Sequence, residues 1–453
     1  MHTPAYCLPA SATTLPRPLG LTEVHQGLVD PHFGLVKMLV ESCSSPEFPQ
    51  LHIAAAVLSN SAYFCENKPP PVNVPMGAAG AGVTREQCLW STLGEAVERY
   101  CGGIYYRDMV YYADGRELDG LIFPLPDMIL YSDEQYDNPS FPFYPIRKVA
   151  KCTWVEGRDL ISGKPLHLPA QLVYFGFRAN NQEALTQTVS TGLACGATAL
   201  DAIVSGFREI LERDVFISMW LLNYAPTRIE IDAGFAAQMS DGARSLLDNQ
   251  NVDIKLWYLP NEFGAITVLA CAEGRHGYRL GFGAACHFSL AQACEKAIVE
   301  ACHTWTWSVR FAQETLERAD EQLSTYGNSG DSKDHVSYYL APEKRAQIAF
   351  LLDSPNSIGA SALDAEIGTT SFNAVLQKIA DSGRTVAWID VTAADVAAVG
   401  LNVVKVIIST MQPLYFGNPD CFANQDRRRL AQLAAFWNVP VPPALNMAPH
   451  PFP

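Results

Sequence analysis

STLGEAVER at residues 91–99 and SGFREILER at residues 205–213 share the pattern S-x-x-x-E-x-x-E-R, and the reading of this pair decides the fold. At about 100° per residue, Ser91, Glu95, Glu98 and Arg99 fall on one face of a helix. Leu89, Leu93, Ala96 and Tyr100 fall on the opposite face. The second copy sets Ser205, Glu209, Glu212 and Arg213 against Ile203, Phe207 and Ile210. A glycine stands thirteen residues before the first glutamate in both copies, Gly82 and Gly196. A looser third copy, KAIVEACHT (296–304), keeps Glu300 but has Lys296 for Ser, His303 for the second Glu and Thr304 for Arg. Cys294, Ile298, Ala301 and Trp305 form its apolar back. Any one of these helices is explained by a solvated outer face, because Glu and Arg are good helix formers. Triplication of the spacing is not, since only helices converging on one ligand need it fixed.

Five carboxylates gathered together would repel one another and would have raised pKa values. A hard divalent cation removes that difficulty, and oxygen ligands suit Mg²⁺. Mg²⁺ in turn bridges carboxylates to nucleotide phosphates, with Arg forks on the phosphate oxygens and serine hydroxyls adding hydrogen bonds. No GxxxxGK[ST] loop and no GxGxxG fingerprint is present. The run GAAGAG (77–82) has the wrong spacing; it reads as a tight turn or as backbone that approaches a ligand closely. A di-iron bundle wants repeated Glu-x-x-His, and only Glu300/His303 offers it. GxSxG is absent, so a hydrolase elbow has no support. Cys294 and Cys302 read as small core residues, and His287 as a satisfied structural histidine.

Outward from the helices, strand-like runs recur: 52–59, 152–157, 257–260, 265–274 and 403–410. Their alternation with long helices predicts an α/β architecture. Residues 121–147 read as an irregular surface excursion and 324–334 as a polar loop. Residues 1–75 read as a lead-in with strands of the same unit, and 76–453 as the main domain. With 48% hydrophobic and 17% charged residues in 453, the composition is globular. A formal net charge of −15 argues against nonspecific binding to nucleic acid or anionic membrane. No secretory signal and no apolar run of about 20 residues is visible. Twelve cysteines are scattered without a CxxC pair, so reduced thiols in a cytoplasm are expected. Six prolines fall in the last fourteen residues, which end PHPFP; composition alone makes that a disordered tail.

The chain resembles the YcaO proteins, and within them the ATP-dependent cyclodehydratase subunits that make azoline rings in ribosomal peptides such as bacteriocins. GAGVTREQCLWSTLGEAVERY (80–100), STGLACGATALDAIVSGFREILERD (190–214), GFGAACHFSLAQACEKAIVEA (281–301), VVKVIISTMQPLYFG (403–417) and the terminal PHPFP carry the resemblance. It implies an α/β, YcaO-type ATP-binding fold in which three pseudo-repeated amphipathic helices converge on one Mg-ATP site. By motif position Glu95, Glu98, Glu209, Glu212 and Glu300 would hold Mg²⁺, and Arg99 and Arg213 would meet phosphate or carboxylate. Asp201, eight residues before Glu209, stands where relatives carry another acidic nucleotide contact. Lys296 stands where relatives carry Arg, keeping charge but not a bidentate fork.

The chemistry implied is attack of a Cys, Ser or Thr side chain on the preceding amide carbon, with ATP phosphorylating the amide oxygen, to give thiazoline or oxazoline. Pro449, Pro451 and Pro453 are implied beside the active site, since P-x-P-x-P marks the azoline-forming branch. No E1-like leader-binding segment precedes the repeats, so a separate partner subunit for the precursor peptide's leader is expected. A dimer within a larger complex is implied, and an FMN-dependent azoline dehydrogenase is a further partner the resemblance allows. Two other readings stay open. One is a YcaO enzyme using an external nucleophile to form thioamides or amidines. The other is a nonenzymatic scaffold with a degenerate nucleotide site, supported by Lys296, His303 and Asp201.

Overall fold

The computed structural model of the chain describes residues 19–42, 50–59, 77–106, 108–146, 151–175, 177 and 184–452. Three sheets organise them. After helix α1 (Leu21–Leu28), the first sheet is the antiparallel set β1 (Val36–Ser42), β2 (His52–Leu58) and β3 (Gly77–Gly82). The second holds β4 (Val110–Asp114), β5 (Leu121–Ile122), β6 (Lys151–Asp159), β7 (Pro165–Pro169) and β8 (Leu193–Gly196). The third holds β9 (Thr227–Glu230), β10 (Val252–Pro260), β11 (Ile266–Gly274), β12 (Leu280–His287) and β13 (Ser357–Gly359). Two late strands, β14 (Val386–Asp390) and β15 (Asn402–Ile408), return to the second sheet.

Each sheet ends on an edge strand that runs into a long helix. β3 leads into α2 (Arg85–Gly102), β8 into α3 (Ala199–Leu222) and β12 into α4 (Leu290–Ser324). Each helix also packs against the edge strand of the next unit: α2 on β8, α3 on β12 and α4 on β3. The three motif copies are thus the three members of a closed ring of strand–helix units.

The first two units begin alike for a local reason. Thr84 and Thr198 each close a capping box, with Gln87 and Asp201 as the reciprocal partners, satisfying amides that a helix start leaves free. Two residues earlier stand Gly82 and Gly196. A Cβ there would lie 2.6 Å from the amide nitrogen of Cys88 or 2.5 Å from that of Ala202, so only glycine lets the strand meet the helix. This overturns the tight-turn reading of GAAGAG: the run is strand β3, and its small residues admit the backbone of α2. The third unit has His287 at the glycine position, and Ser289 makes no side-chain cap.

The apolar backs bury as the helical period requires. Leu93 and Ala96 are fully buried in one cluster, and Ile203 and Phe207 in a second with Val404 and Val406 of β15. Ile298 and Ala301 bury in a third with Val268 and Ala270 of β11. A side chain of this size is worth roughly 1.5–3 kcal/mol when fully buried. Strand β15 is buried at every residue, Lys405 included. Cys294 and Cys302 are core residues as expected, and the nine cysteines among the described residues are all free. Cys7, Cys43 and Cys65 lie outside the described residues.

Two irregular segments are held more firmly than composition alone suggests. The 121–147 stretch is irregular as read, and it is pinned, because Tyr131 stacks on Phe143 (centroids 5.0 Å apart) and Phe143 meets Phe422. The proline-rich end is not a free tail either: Pro449, His450, Pro451 and Phe452 are all buried. Helices α5 (Ser332–Tyr338) and α6 (Arg427–Phe436) lie in the segments that flank this end. No helix among the described residues is long and apolar enough to cross a membrane.

Candidate active site

An edge strand leaves a row of amide groups without ladder partners, and here glutamates take them. The N–H of Ala79 donates to Glu95 Oε2 (2.8 Å), and that of Gly192 donates to Glu209 Oε2 (2.8 Å). The first glutamate of each full copy therefore binds the chain leading into its own unit. The second reaches the next unit. Cys195 N–H of β8 donates to Glu98 Oε1 (2.7 Å), and Cys286 N–H of β12 donates to Glu212 Oε2 (3.0 Å). The four carboxylates are thereby fixed around the centre of the ring.

Electrostatics show that the helices meet there. Burial pushes Glu98 up to about 8, aided by the charges of Glu209 and Glu95 and opposed by the Cys195 amide and by Lys296. Burial likewise pushes Glu212 up to about 7, with Arg213 and Lys296 opposing. Lys296 of α4 thus acts on glutamates of both α2 and α3 while remaining exposed. Glu300, one turn on, is half-buried with its Cβ hard against Gly283 of β12.

The two motif arginines differ. Arg99 pairs with Glu95 at 2.6 Å and keeps a 40% exposed side chain. Arg213 pairs with Glu209 at 3.2 Å, is 16% exposed and lies under the Phe452 ring, 5.2 Å from its centroid. Ser91 is exposed and Ser205 half-exposed on the same helical faces as the glutamates. Asp201 is set apart: its Oδ2 accepts from the Thr198 amide and hydroxyl in the helix cap, and the residue is exposed.

Several groups carried no motif. Lys405 is buried, donates to the Val189 carbonyl (3.0 Å), and interacts with Glu209 and Arg213; burial pushes its amine down to about 8. A lone lysine inside the apolar run VVKVII was its sequence signal. His287 is not the satisfied structural histidine expected. Its Nδ1 is buried without a partner among the described residues, and burial beside the cations Arg208 and Lys296 pushes its pKa down to about 4. Arg208 Nε and Arg213 Nε are also buried and unpartnered.

The tail is built into this site from behind. Trp220 donates to the Ala448 carbonyl (2.7 Å) and Tyr339 to that of Pro449 (2.6 Å). The Gly417 amide donates to His335 Nε2, so His335 Nδ1–H donates to the His450 carbonyl (2.8 Å). The Phe452 amide donates to His450 Nδ1, so its Nε2–H donates to the Tyr415 carbonyl (2.7 Å). Both imidazoles are neutral, stacked 4.1 Å apart, and burial holds their pKa values low. Pro453 lies outside the described residues.

Unpartnered buried guanidinium nitrogens beside carboxylates driven up in pKa fit an anionic ligand accompanied by a cation. Among the described residues no group of three or more His, Cys, Asp or Glu side chains forms a ready metal cage. Mg²⁺ needs none, since it keeps waters and binds through one or two carboxylates plus phosphate oxygens. Fold and site together define an α/β protein whose three strand–helix units close on a buried centre of carboxylates and cations.

The chain belongs to the YcaO cyclodehydratase family, whose ATP- and Mg²⁺-binding model matches residues 79–412. ATP and Mg²⁺ are accordingly its cofactors. A heterocyclase solved in complex with substrate and cofactor is similar over 98% of this chain and 60% of its own, with TM-score 0.74 and 22% identity. The chain therefore spans about three fifths of that protein's length. The YcaO protein of Methanopyrus kandleri, bound with AMPPCP and Mg²⁺, gives TM-score 0.57 and 17% identity, covering 85% of this chain and 87% of that one. The Escherichia coli microcin synthetase McbBCD complex with pro-MccB17 bound gives 0.54 and 15%, covering 82% and 87%.

Proposed function

We propose that the chain catalyses ATP-dependent cyclodehydration of Cys, Ser or Thr in a ribosomally made precursor peptide, giving thiazoline or oxazoline. The observation that carries this reading is the Phe452 ring over Arg213, whose guanidinium also pairs with Glu209. It joins the P-x-P-x-P end to the carboxylate centre in one contact, which an ATP-binding protein without ring chemistry does not need.

Glu95, Glu98, Glu209, Glu212 and Glu300 are the residues to hold Mg²⁺, and Arg99, Arg213 and Lys296 those to meet phosphate, with Ser91 and Ser205 as hydrogen-bond donors. Lys405 joins them as a buried cation on the same centre. Asp201 has a lesser part, because its carboxylate is engaged in the cap. Bound ATP supplies the phosphoryl group that turns the amide oxygen into a leaving group, and Mg²⁺ spreads its charge.

The residues of the chain orient and shield. Glu98 and Glu212, held by amides of the following unit, lock the three helices at fixed separation, so positioning is set before ligand arrives. Arg213 is kept dry by Phe452 and aimed by Glu209, where a charge-assisted bond gains most. Pro449 and Pro451 stiffen the end that presents this ring. A separate leader-binding partner subunit belongs to this reading, in line with the multi-chain microcin synthetase solved with pro-MccB17 bound. Residues 76–453 form the catalytic domain in this reading, with 1–75 part of the same unit.

Mass spectrometry of a precursor peptide incubated with the chain, its leader-binding partner and Mg-ATP tests this. Loss of one water per ring is the expected result. An unmodified peptide beside ongoing ATP binding sinks the reading and leaves the scaffold alternative. Incorporation of sulfide or amine instead identifies the external-nucleophile chemistry.

A further inference from the structure

A cavity lies beside the carboxylate centre, and none of the five glutamates lines it. It runs under loop 186–191, between the end of β15 and residues 128–130. Met128, Leu130, Ile210 and Met411 give it apolar walls. Two polar atoms on those walls, Thr191 Oγ1 and Gln412 Oε1, are buried without a hydrogen-bond partner among the described residues. Leaving such an atom unpaired costs about 1–3 kcal/mol, so each needs an explanation.

Gln412 is 1% exposed and held rigidly. Its amide donates to Asp214 (2.7 Å) and its Nε2 donates to the Asn424 carbonyl (2.6 Å). Asp214 is in turn clamped by the buried Arg429 of α6. The Gln412 side chain is thus fixed in the cavity wall, with its Oε1 covered from the cavity. Lys405 stands in the same wall and interacts with Glu209 and Arg213, so the cavity adjoins the proposed phosphate-transfer point. At its other end the wall runs from Leu414 into Tyr415, on which His450 of the tail is seated.

We infer that this cavity holds the substrate residue that precedes the ring-forming Cys, Ser or Thr; the inference rests on the cyclodehydratase reading. That residue owns the carbonyl carbon that is attacked and the oxygen that is phosphorylated, so it must lie beside Lys405 and Arg213. Thr191 and Gln412 add polar side chains to the wall beside that carbonyl. The apolar walls then take the side chain, making the cavity a determinant of which sequences are cyclised.

The test uses the full chain with Mg–AMPPCP and a leader-bearing precursor peptide carrying a photoreactive leucine just before the cyclised Cys. Adducts on Met128–Leu130 or Met411–Leu414 are expected, and adducts confined elsewhere overturn the inference. A second measurement compares ring formation with Gly or Leu at that position. Met411→Trp should cut kcat/KM about tenfold or more for Leu and spare Gly. Thr191→Val should raise KM for both peptides while leaving the Kd for Mg–AMPPCP unchanged. Rings formed by Met411→Trp at wild-type rates whatever residue precedes the Cys overturn this inference alone. A wild-type chain that forms no ring on any precursor removes the cyclodehydratase reading, and this inference with it.

Discussion

The carboxylate centre and the dock of the proline-rich end are both buried, polar and pinned by backbone amides, yet they stand in opposite electrostatic states. In the dock every imidazole nitrogen of His335 and His450 has a partner, and both rings are neutral. In the centre Glu98 and Glu212 crowd other carboxylates and are pushed up in pKa, while Arg208 Nε and Arg213 Nε lack partners. The first region is complete and should report on stability. The second is waiting for cation and phosphate, and should report on binding.

That contrast is broken most severely at the first glutamates. Glu95→Ala or Glu209→Ala should weaken Mg-dependent ATP binding by about 100-fold or more, as loss of a metal-orienting group does. Calorimetric titration with Mg–AMPPCP reads this, with circular dichroism as the check on folding. Removing residues 449–453 should do the reverse: ring formation is lost in the mass-spectrometric assay, while the nucleotide Kd stays within about threefold. Survival of ring formation after that truncation would remove the tail from the mechanism.

Within the dock, His335→Leu strands the His450 carbonyl and the Gly417 amide, at a cost of about 2–5 kcal/mol in denaturant unfolding. Its acid dependence has a definite sign. The folded-state pKa of His335 is lowered from 6.5 to about 4, so the unfolded chain binds the extra proton first as pH falls. The stability due to neutral burial is full above pH 6.5 and is lost as pH falls toward 4, on the order of 3 kcal/mol. His335→Leu should remove the His335 share of that window and leave the share of His450. The smallest effect concerns Glu98. Its folded-state pKa is raised from 4.5 to about 8, so its contribution falls as pH rises through that interval. Without nucleotide or Mg²⁺, Glu98→Gln should therefore stabilise the chain more at pH 8 than at pH 5 in denaturant unfolding, while weakening Mg-ATP binding.

How much of this was legible depends on sequence distance. The spacing Ser91-Glu95-Glu98-Arg99, its repeat and the glycine thirteen residues upstream announced two strand–helix units, because helical period and capping are local. That Glu98 would meet the amide of Cys195, 97 residues away, was not readable, nor was the closure of three sheets into a ring. Asp201 reads as a nucleotide contact from the resemblance alone, while its spacing from Thr198 makes the capping box, a local bond that the sequence itself carries. The dock was opaque because His335 and His450 take most of their partners 35 to 115 residues away, whereas composition argued for a loose end.

Crystals grown with AMPPCP and Mn²⁺ in place of Mg²⁺ give the most direct measurement, through the anomalous signal of the metal. The expected result is manganese between the carboxylates of α2, α3 and α4, with the terminal phosphate toward Arg213 and Phe452. Nucleotide and metal bound away from Glu95, Glu98, Glu209, Glu212 and Glu300 would contradict the convergence of the three helices on one site.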